Sequence, residues 1–262
     1  MMDLNALQKP EVLNNASIEE LKASLLELVT QKDEEPVATK VRFLNDNLLP
    51  LFEALAERNP TPDVTQQIPL VQGLWHSVWS TIPFQDILPG RVRAQSYQIF
   101  ADNGLYANMA RYRPGHKKPL LNWLSRWLLS YDLMILQTYA VSEDYDAERA
   151  AGTGPVAQHW DIENVGIRQL LRFGPAPLDA QAAIAWFQTS LNKYQQSEAA
   201  KQALAMPTNG ISRTMQKRYE KVSKAKPQLE HLYIDRDFRL VKSIREKTQR
   251  PSYTIAVRIA DA

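Results

Sequence analysis

The amino-acid sequence predicts a mostly β protein with added helices, an α+β chain in which an antiparallel meander or barrel follows two helices. Three observations carry this reading. Gly73–Ile82, Val92–Phe100 and Leu105–Tyr112 are short runs rich in aromatic and β-branched residues, with Trp75, Trp79 and Tyr97 among them. Such residues suit pleated, half-buried strands. Turn signals separate the runs: Pro89-Gly90 within Pro83–Arg91, and Asp102-Asn103-Gly104 between the second and third. Asn-Gly marks a hairpin because both turn positions tolerate positive φ. Ahead of them, Ile18, Leu21, Leu25 and Leu28 recur at helical spacing, and so do Val41, Leu44, Leu48, Leu51 and Leu55.

In chain order, residues 1–16 read as a loose N-terminus. Ser17-Ile18-Glu19-Glu20 fits a capping box that opens the first helix. That helix ends near Gln31, before the charged break Lys32–Glu35. Pro36 suits the first turn of the second helix, and Pro50 is expected to kink or split it. Asn59-Pro60-Thr61-Pro62 ends it. Residues 17–66 are thus an N-terminal helical pair whose apolar stripes need cover from the outside or mouth of the sheet, and 67–262 form the β domain. Arg113–Pro119 is a basic turn, and Leu120–Leu129 holds Trp123 and Trp127 at i, i+4, suiting a short helix or a lid. Leu133–Val141 reads as a strand, Ser142–Pro155 as a polar loop, and Ala157–Phe173 as one or two strands. An Ala-rich helical run opens at Pro177-Leu178-Asp179 and, with the polar stretch to Lys226, makes a helical insertion at about 178–226. Gln228–Leu240 and Ser252–Ile259 alternate in polarity and close the chain as a hairpin.

The chain has 262 residues, 44% of them hydrophobic, enough for one large β domain with attachments or for two small domains. It has no cysteine, which excludes disulfides, thiol nucleophiles and thiolate metal sites. The first residues lack a basic and apolar leader, no transit peptide is visible, and no apolar run reaches the roughly 18–20 residues of a membrane span. A soluble, cytoplasmic protein that touches membranes only from outside is expected. The net charge is +2, but residues 201–250 hold 13 Lys and Arg against 5 Asp and Glu. A basic segment on a mildly acidic body is a solvated face, or it meets anionic headgroups or an acidic partner.

Catalytic patterns are sparse. There is no Gly-rich phosphate loop and no Gly-x-Ser-x-Gly elbow. His76, His116, His159 and His231 are scattered, none at the i, i+4 spacing of a helical zinc site, and no metal or cofactor is expected. Asp235 and Asp237 fall on one face of an expected strand, beside Arg236 and Arg239, and read as a salt-bridged surface rather than an acid–base pair. Aromatic residues cluster on the strands: Trp75, Trp79, Tyr97, Phe100, Tyr106, Tyr112, Trp160 and Tyr233. They fill a core or line an apolar pocket, since a barrel of about eight strands has room for side chains or one small ligand.

The order of parts resembles the plastid lipid-associated protein (fibrillin) family, in its cyanobacterial type, over about residues 18–260. The markers are Asn59-Pro60-Thr61-Pro62 after the helical pair, Gly73-Leu74-Trp75 leading into Val78-Trp79-Ser80-Thr81, and Tyr233-Ile234-Asp235-Arg236-Asp237-Phe238-Arg239 near the C-terminus. After Arg239 the chain departs from the family, with Leu240-Val241-Lys242-Ser243 where Ile-x-Arg-Gly is usual, and the following loop is longer and more basic. The resemblance implies a lipocalin-like β-barrel and a non-enzymatic carrier or structural protein for carotenoid, quinone or lipid. It also implies a place at the thylakoid periphery, with membrane or photosynthetic complexes as partners and no nucleic acid. By the same analogy Gly73, Trp75, Arg239 and Arg258 close one end of the barrel, an arginine stacking on Trp75 with about 0.5–2 kcal/mol of cation–π stabilisation. Trp79, Tyr97, Tyr106, Tyr112, Trp160 and Tyr233 are then the ligand-lining candidates. Two rival readings stand beside it. One is a lipocalin-type bilin lyase acting on phycobiliproteins, with Arg93, Arg113 or Asp161 at the barrel mouth. The other is a peripheral thylakoid scaffold that binds through the basic segment.

Overall fold

A computed structural model describes residues 10–82, 91–114, 130–142, 159–172, 177–196, 227–244 and 249–260. The chain opens with α1 (Pro10–Asn15), a short helix where the sequence suggests a loose segment. Two tethers order it: Leu13 is buried, and Arg58 donates to the carbonyls of Leu13, Asn14 and Ala16. Helix α2 (Ile18–Val29) begins at the expected capping box, with Glu20 N donating to Ser17 Oγ at 3.3 Å and Ser17 N to Glu20 Oε2 at 2.8 Å. Helix α3 (Val37–Phe43) runs through a π-turn at Leu44–Leu48 into α4 (Leu49–Ala56). Pro50 has no N–H to give the preceding turn, so the helix widens before it and restarts with proline in its first turn.

A further helix, α5 (Val64–Val71), crosses the boundary at residue 66 that the sequence suggests. Asp63 caps it by accepting from Thr65 N at 2.9 Å. Pro69 within it reads as a breaker, which hides this helix in the sequence.

Eight strands come next: β1 (Gly73–Ser80), β2 (Arg91–Phe100), β3 (Leu105–Pro114), β4 (Ser130–Val141), β5 (His159–Arg172), β6 (Gln228–Ile234), β7 (Phe238–Ile244) and β8 (Ser252–Ala260). Each pairs antiparallel with its sequence neighbour, and β8 pairs with β1, so the sheet closes as an up-and-down barrel. Helix α6 (Ala180–Gln196) lies in the β5–β6 connection.

Two turns differ from the simplest sequence reading. In the β2–β3 hairpin only Gly104 has positive φ, at +76°, and Ala101 N donates to Leu105 O at 2.9 Å. The loop is therefore three residues long with glycine in the left-handed position, rather than a two-residue turn. The run Gln228–Leu240 is two strands, β6 and β7, separated by a turn at Asp235–Asp237. Asp235 builds that turn, its Oδ1 accepting from Asp237 N at 2.9 Å and Phe238 N at 2.8 Å. The two aspartates consequently do not share a strand face.

Helices cover the barrel on two flanks and one end. Leu21, Leu25, Leu48, Leu51 and Phe52 of the N-terminal helices pack with Trp79, Tyr233, Phe238, Leu240 and Ile255 on the outer face of β6, β7, β8 and β1. Ala183 and Phe187 of α6 pack on Leu74, Ile99, Met109, Met134 and Leu136, outside β1 to β4. Each large apolar side chain buried this way stabilises by about 1.5–3 kcal/mol. Val64 and Val71 of α5 instead meet the opposite parity of side chains, Trp75, Phe100, Tyr106 and Trp160, and so cover the end of the barrel.

The N-terminal helices are also fastened by charge. Lys22 Nζ lies 2.6 Å from Asp235 Oδ2 and 2.7 Å from Glu19, while the Tyr233 hydroxyl donates to Asp235 Oδ2 at 2.7 Å. Burial works to raise the Asp235 carboxyl, but the hydrogen bonds from Lys22, Tyr233 and the Asp237 and Phe238 N–H groups outweigh it and hold it below its ordinary value. A lowered carboxylate stabilises above its unfolded pKa and loses that contribution as pH falls through the native value. Asp235→Asn is expected to cost about 1–3 kcal/mol at pH 7 and to make acid destabilisation between about pH 5 and pH 2 shallower. Urea-denaturation midpoints measured across that range check both effects.

Candidate functional site

The end of the barrel beneath α5 is closed by a stack around Trp75. Gly73, at φ +107°, takes the left-handed corner from α5 into β1 that a side chain would strain. Trp75 is fully buried and donates Nε1 to Val71 O at 2.7 Å. The guanidinium of Arg239 lies 4.9 Å and that of Arg258 4.2 Å from the Trp75 ring centre, and Arg239 also lies 4.6 Å from Phe100. Arg258 donates to the carbonyls of Leu70, Gln72 and Arg236, tying the end of α5 to the β6–β7 turn.

Beneath Trp75 a polar relay crosses the core. Arg239 Nε donates to His231 Nε2 at 3.1 Å, and His231 Nδ1 lies 2.9 Å from Gln67 Oε1. Arginine can only donate, so Nε2 accepts and the ring proton sits on Nδ1, facing Gln67. Burial first, and Arg239 second, hold His231 well below its ordinary pKa, while burial lowers Arg239 to about 9. Aromatic rings fill the rest of this floor. Phe100 and Tyr106 stack at 4.6 Å, Tyr139 and Trp160 at 5.2 Å, and Trp160 meets His231 edge-on at 4.9 Å.

One step further from α5 the lumen changes character. Gln98, Asn108, Gln137 and Asn164 form a row of side-chain amides across β2, β3, β4 and β5. Gln98 Nε2 donates to Asn108 Oδ1 at 2.8 Å, Asn108 Nδ2 to Gln137 Oε1 at 2.5 Å, and Gln137 Nε2 to Asn164 Oδ1 at 2.7 Å. Asn108 Nδ2 also donates to the Tyr106 hydroxyl at 3.2 Å, which joins the row to the aromatic floor.

Above the amides the wall is apolar. Tyr112 and Tyr131 stack at 5.1 Å beside Leu133, with Ala110, Ile135 and Ile167 packed against them. Asn108, Ala110, Ile135, Asn164 and Ile167 face the lumen and yet are only half-buried. The residues of this parity on β1, β2 and β8 at that level are small: Ser77, Ser96, Thr254 and Ala256. At the rim, Asp33 accepts from Ser80 N at 2.9 Å, Arg93 at 2.5 Å and Lys40 at 3.3 Å.

The sequence-predicted lining residues divide between two sides of the sheet. Tyr106 and Trp160 lie in the floor and Tyr112 in the upper wall. Trp79, Tyr97 and Tyr233 face outward instead. Trp79 and Tyr233 pack beneath the N-terminal helices, and Tyr97 beside α6 donates to Leu178 O at 3.0 Å. Bulges explain two of these. The registers shift between Ser77 and Trp79 and between His231 and Tyr233, and one extra residue sends the remainder of the strand to the opposite face. Tyr97 is simply of the other parity from Gln98 and Phe100. Sequence reasoning misses the amide row, although Gln98, Asn108, Gln137 and Asn164 each stand two positions from an inward apolar residue, Phe100, Tyr106, Tyr139 and Ile162.

Other candidates have different surroundings. Arg93 is bound to Asp33 and to Ser96 Oγ, and Asp161 faces outward toward Gln228. The Arg113 side chain, His116 and residues 201–226 lie outside the described residues. Among the described residues no group of three His, Asp or Glu could hold a metal ion, and no helix is long and apolar enough to cross a membrane. A separate groove of about 270 Å³ lies outside the barrel between α6 and β1–β2, lined by Leu74, Ile99, Ile184, Phe187 and Leu191. The chain matches no family model, no curated protein and no solved structure.

The relay under Trp75 has a direct signature. His231 is expected to keep the Nδ1–H tautomer, without titrating, from about pH 7.5 to about pH 5, as read by two-dimensional ¹⁵N–¹H NMR of the ring. Below about pH 6.5 the unfolded chain takes a proton that native His231 refuses, so this residue lowers stability as pH falls.

Proposed function

We propose that this protein is a non-enzymatic, fibrillin-like carrier whose lipocalin-like barrel holds an apolar small molecule, a carotenoid, quinone or lipid, at the periphery of photosynthetic membranes. One observation carries the reading. Above a floor sealed by Trp75, Phe100, Tyr106 and Trp160, the inward residues Ala110, Ile135 and Ile167 remain half-buried. A filled barrel would bury them. An apolar guest would cover them, gaining about 25 cal/mol for each Å² taken from water. The arginine stack on Trp75 and the helical layer on the outer face fit the family resemblance of Gly73-Leu74-Trp75 and the Tyr233–Arg239 segment. The lyase alternative draws less support, because Arg93 is engaged by Asp33 and Asp161 faces away from the lumen.

The test is capture. Purified protein incubated with a pigment and lipid extract of a photosynthetic cell is expected to carry a stoichiometric apolar compound through gel filtration, identified by mass spectrometry of an organic extract. Ala110→Trp, which adds bulk to the lumen wall, is expected to reduce the captured amount at least about tenfold with an unchanged circular dichroism spectrum. Undiminished capture by the variant would move the site to the groove under α6. Absence of capture by the wild type would remove the carrier function.

A further inference from the structure

The amide row has a direction. Each member gives its N–H to the next, from Gln98 on β2 through Asn108 and Gln137 to Asn164 on β5. Every carbonyl after the first is therefore met by the amide before it. The first, Gln98 Oε1, has no partner among the described residues, and Gln98 is only 6% exposed. Of the neighbouring donors, Trp75 Nε1 is committed to Val71 O and Asn108 Nδ2 to Gln137 and the Tyr106 hydroxyl, while Arg239 Nη1 and Nη2, which have no acceptor among the described residues, make no hydrogen bond to it. A buried acceptor without a donor is costly, and a group that supplies one recovers that cost on binding.

The row also lies at a boundary. Toward α5 the barrel is packed solid, and toward the rim the inward wall of β3 to β5 is apolar, with Tyr112, Tyr131 and Leu133 buried and Ala110, Ile135 and Ile167 half-buried. A long apolar guest that enters from the rim stops with its leading end at the amides.

We propose that the cargo is an apolar molecule ending in a hydroxyl group, a long-chain or terpenoid alcohol or a phenol such as a hydroquinone. It is held polar end inward with its O–H donated to Gln98 Oε1. A ketone, aldehyde or quinone oxygen accepts only and cannot serve this atom, and a hydrocarbon leaves it unpaired. Discrimination of this kind is strong when the site loses a buried hydrogen bond with the wrong ligand. The inference rests on the carrier reading above and specifies its ligand class.

Three ligands with one carbon skeleton separate the possibilities: farnesol, farnesal and farnesene, ending in hydroxyl, aldehyde and hydrocarbon. Each is titrated into the full-length protein and followed by tryptophan fluorescence and calorimetry. Farnesol is expected to bind about tenfold more tightly than the other two, the difference one hydrogen bond makes. Gln98→Lys, which can still donate to Asn108 Oδ1 but carries no acceptor, is expected to bind farnesol no more tightly than farnesal. Asn164→Leu cuts the far end of the row, leaves Gln98 Oε1 in place and is expected to keep the preference. Equal wild-type affinity for all three overturns the hydroxyl inference and leaves the carrier intact. A preference for farnesol over farnesal that survives in a folded Gln98→Lys protein overturns the role of Gln98. Failure of all three to bind overturns the carrier and this inference together.

Discussion

The architecture depends on one buried contact, the indole of Trp75 against the guanidinium groups of Arg239 and Arg258. Arg239 is fully buried, and its Nη1 and Nη2 find no acceptor among the described residues. Taking such an ion out of water costs several kcal/mol, and it is tolerated only with strong compensation. Here the rings of Trp75 and Phe100 offer their negative faces and neutral His231 offers a lone pair. The compensation is incomplete, and the lowered pKa of Arg239 records the remainder. What the contact provides is connection. Through Trp75, His231 and Arg258 it links β1, β6, β7 and β8 to α5, and so closes the barrel and its end at one point.

That closure was partly legible in the sequence. Gly73-Leu74-Trp75 and Arg239 stand out as markers, the hairpin at Asp102-Asn103-Gly104 is explicit, and Ser17 and Glu20 announce the start of α2. The Pro50 break is also readable, because a missing N–H acts locally. The less legible parts depend on contacts distant in sequence. Helix α1 is ordered by Arg58, more than forty residues away. Helix α5 contains Pro69 and owes its place to the barrel end it covers. The turn at Asp235 resembles the middle of a strand, since its turn character comes from one side chain folding back onto two backbone N–H groups.

The lumen was harder to read than the fold, for a physical reason. Inside and outside alternate residue by residue along a strand, so one bulge reverses every later assignment. Trp75 and Trp79 differ by an even number and should share a face. The shift after Ser77 places Trp75 in the core and Trp79 under the N-terminal helices. Aromatic residues are poor guides here, because both faces of the sheet are covered by helices or closed by packing and both therefore demand large apolar side chains. Polar residues between aromatic ones are better guides. A glutamine or asparagine of inward parity needs partners, and four on adjacent strands are most simply satisfied by one another.

This makes the amide row more than a lining. Four amides facing apolar rings on one side and an apolar wall on the other are stable only as a connected chain, since each unpaired member would cost about 1–3 kcal/mol. A chain of donors pointing one way must have an acceptor left over at its head unless something outside the chain completes it. Apolar residues at these positions would have given a tighter and drier core with no such defect. The barrel instead keeps a row of polar groups where the packed floor ends and the accessible wall begins, and small residues opposite it on β1 and β8. Position, direction and the unfilled carbonyl of Gln98 all favour a guest whose polar end reaches this level and whose apolar body occupies the space above.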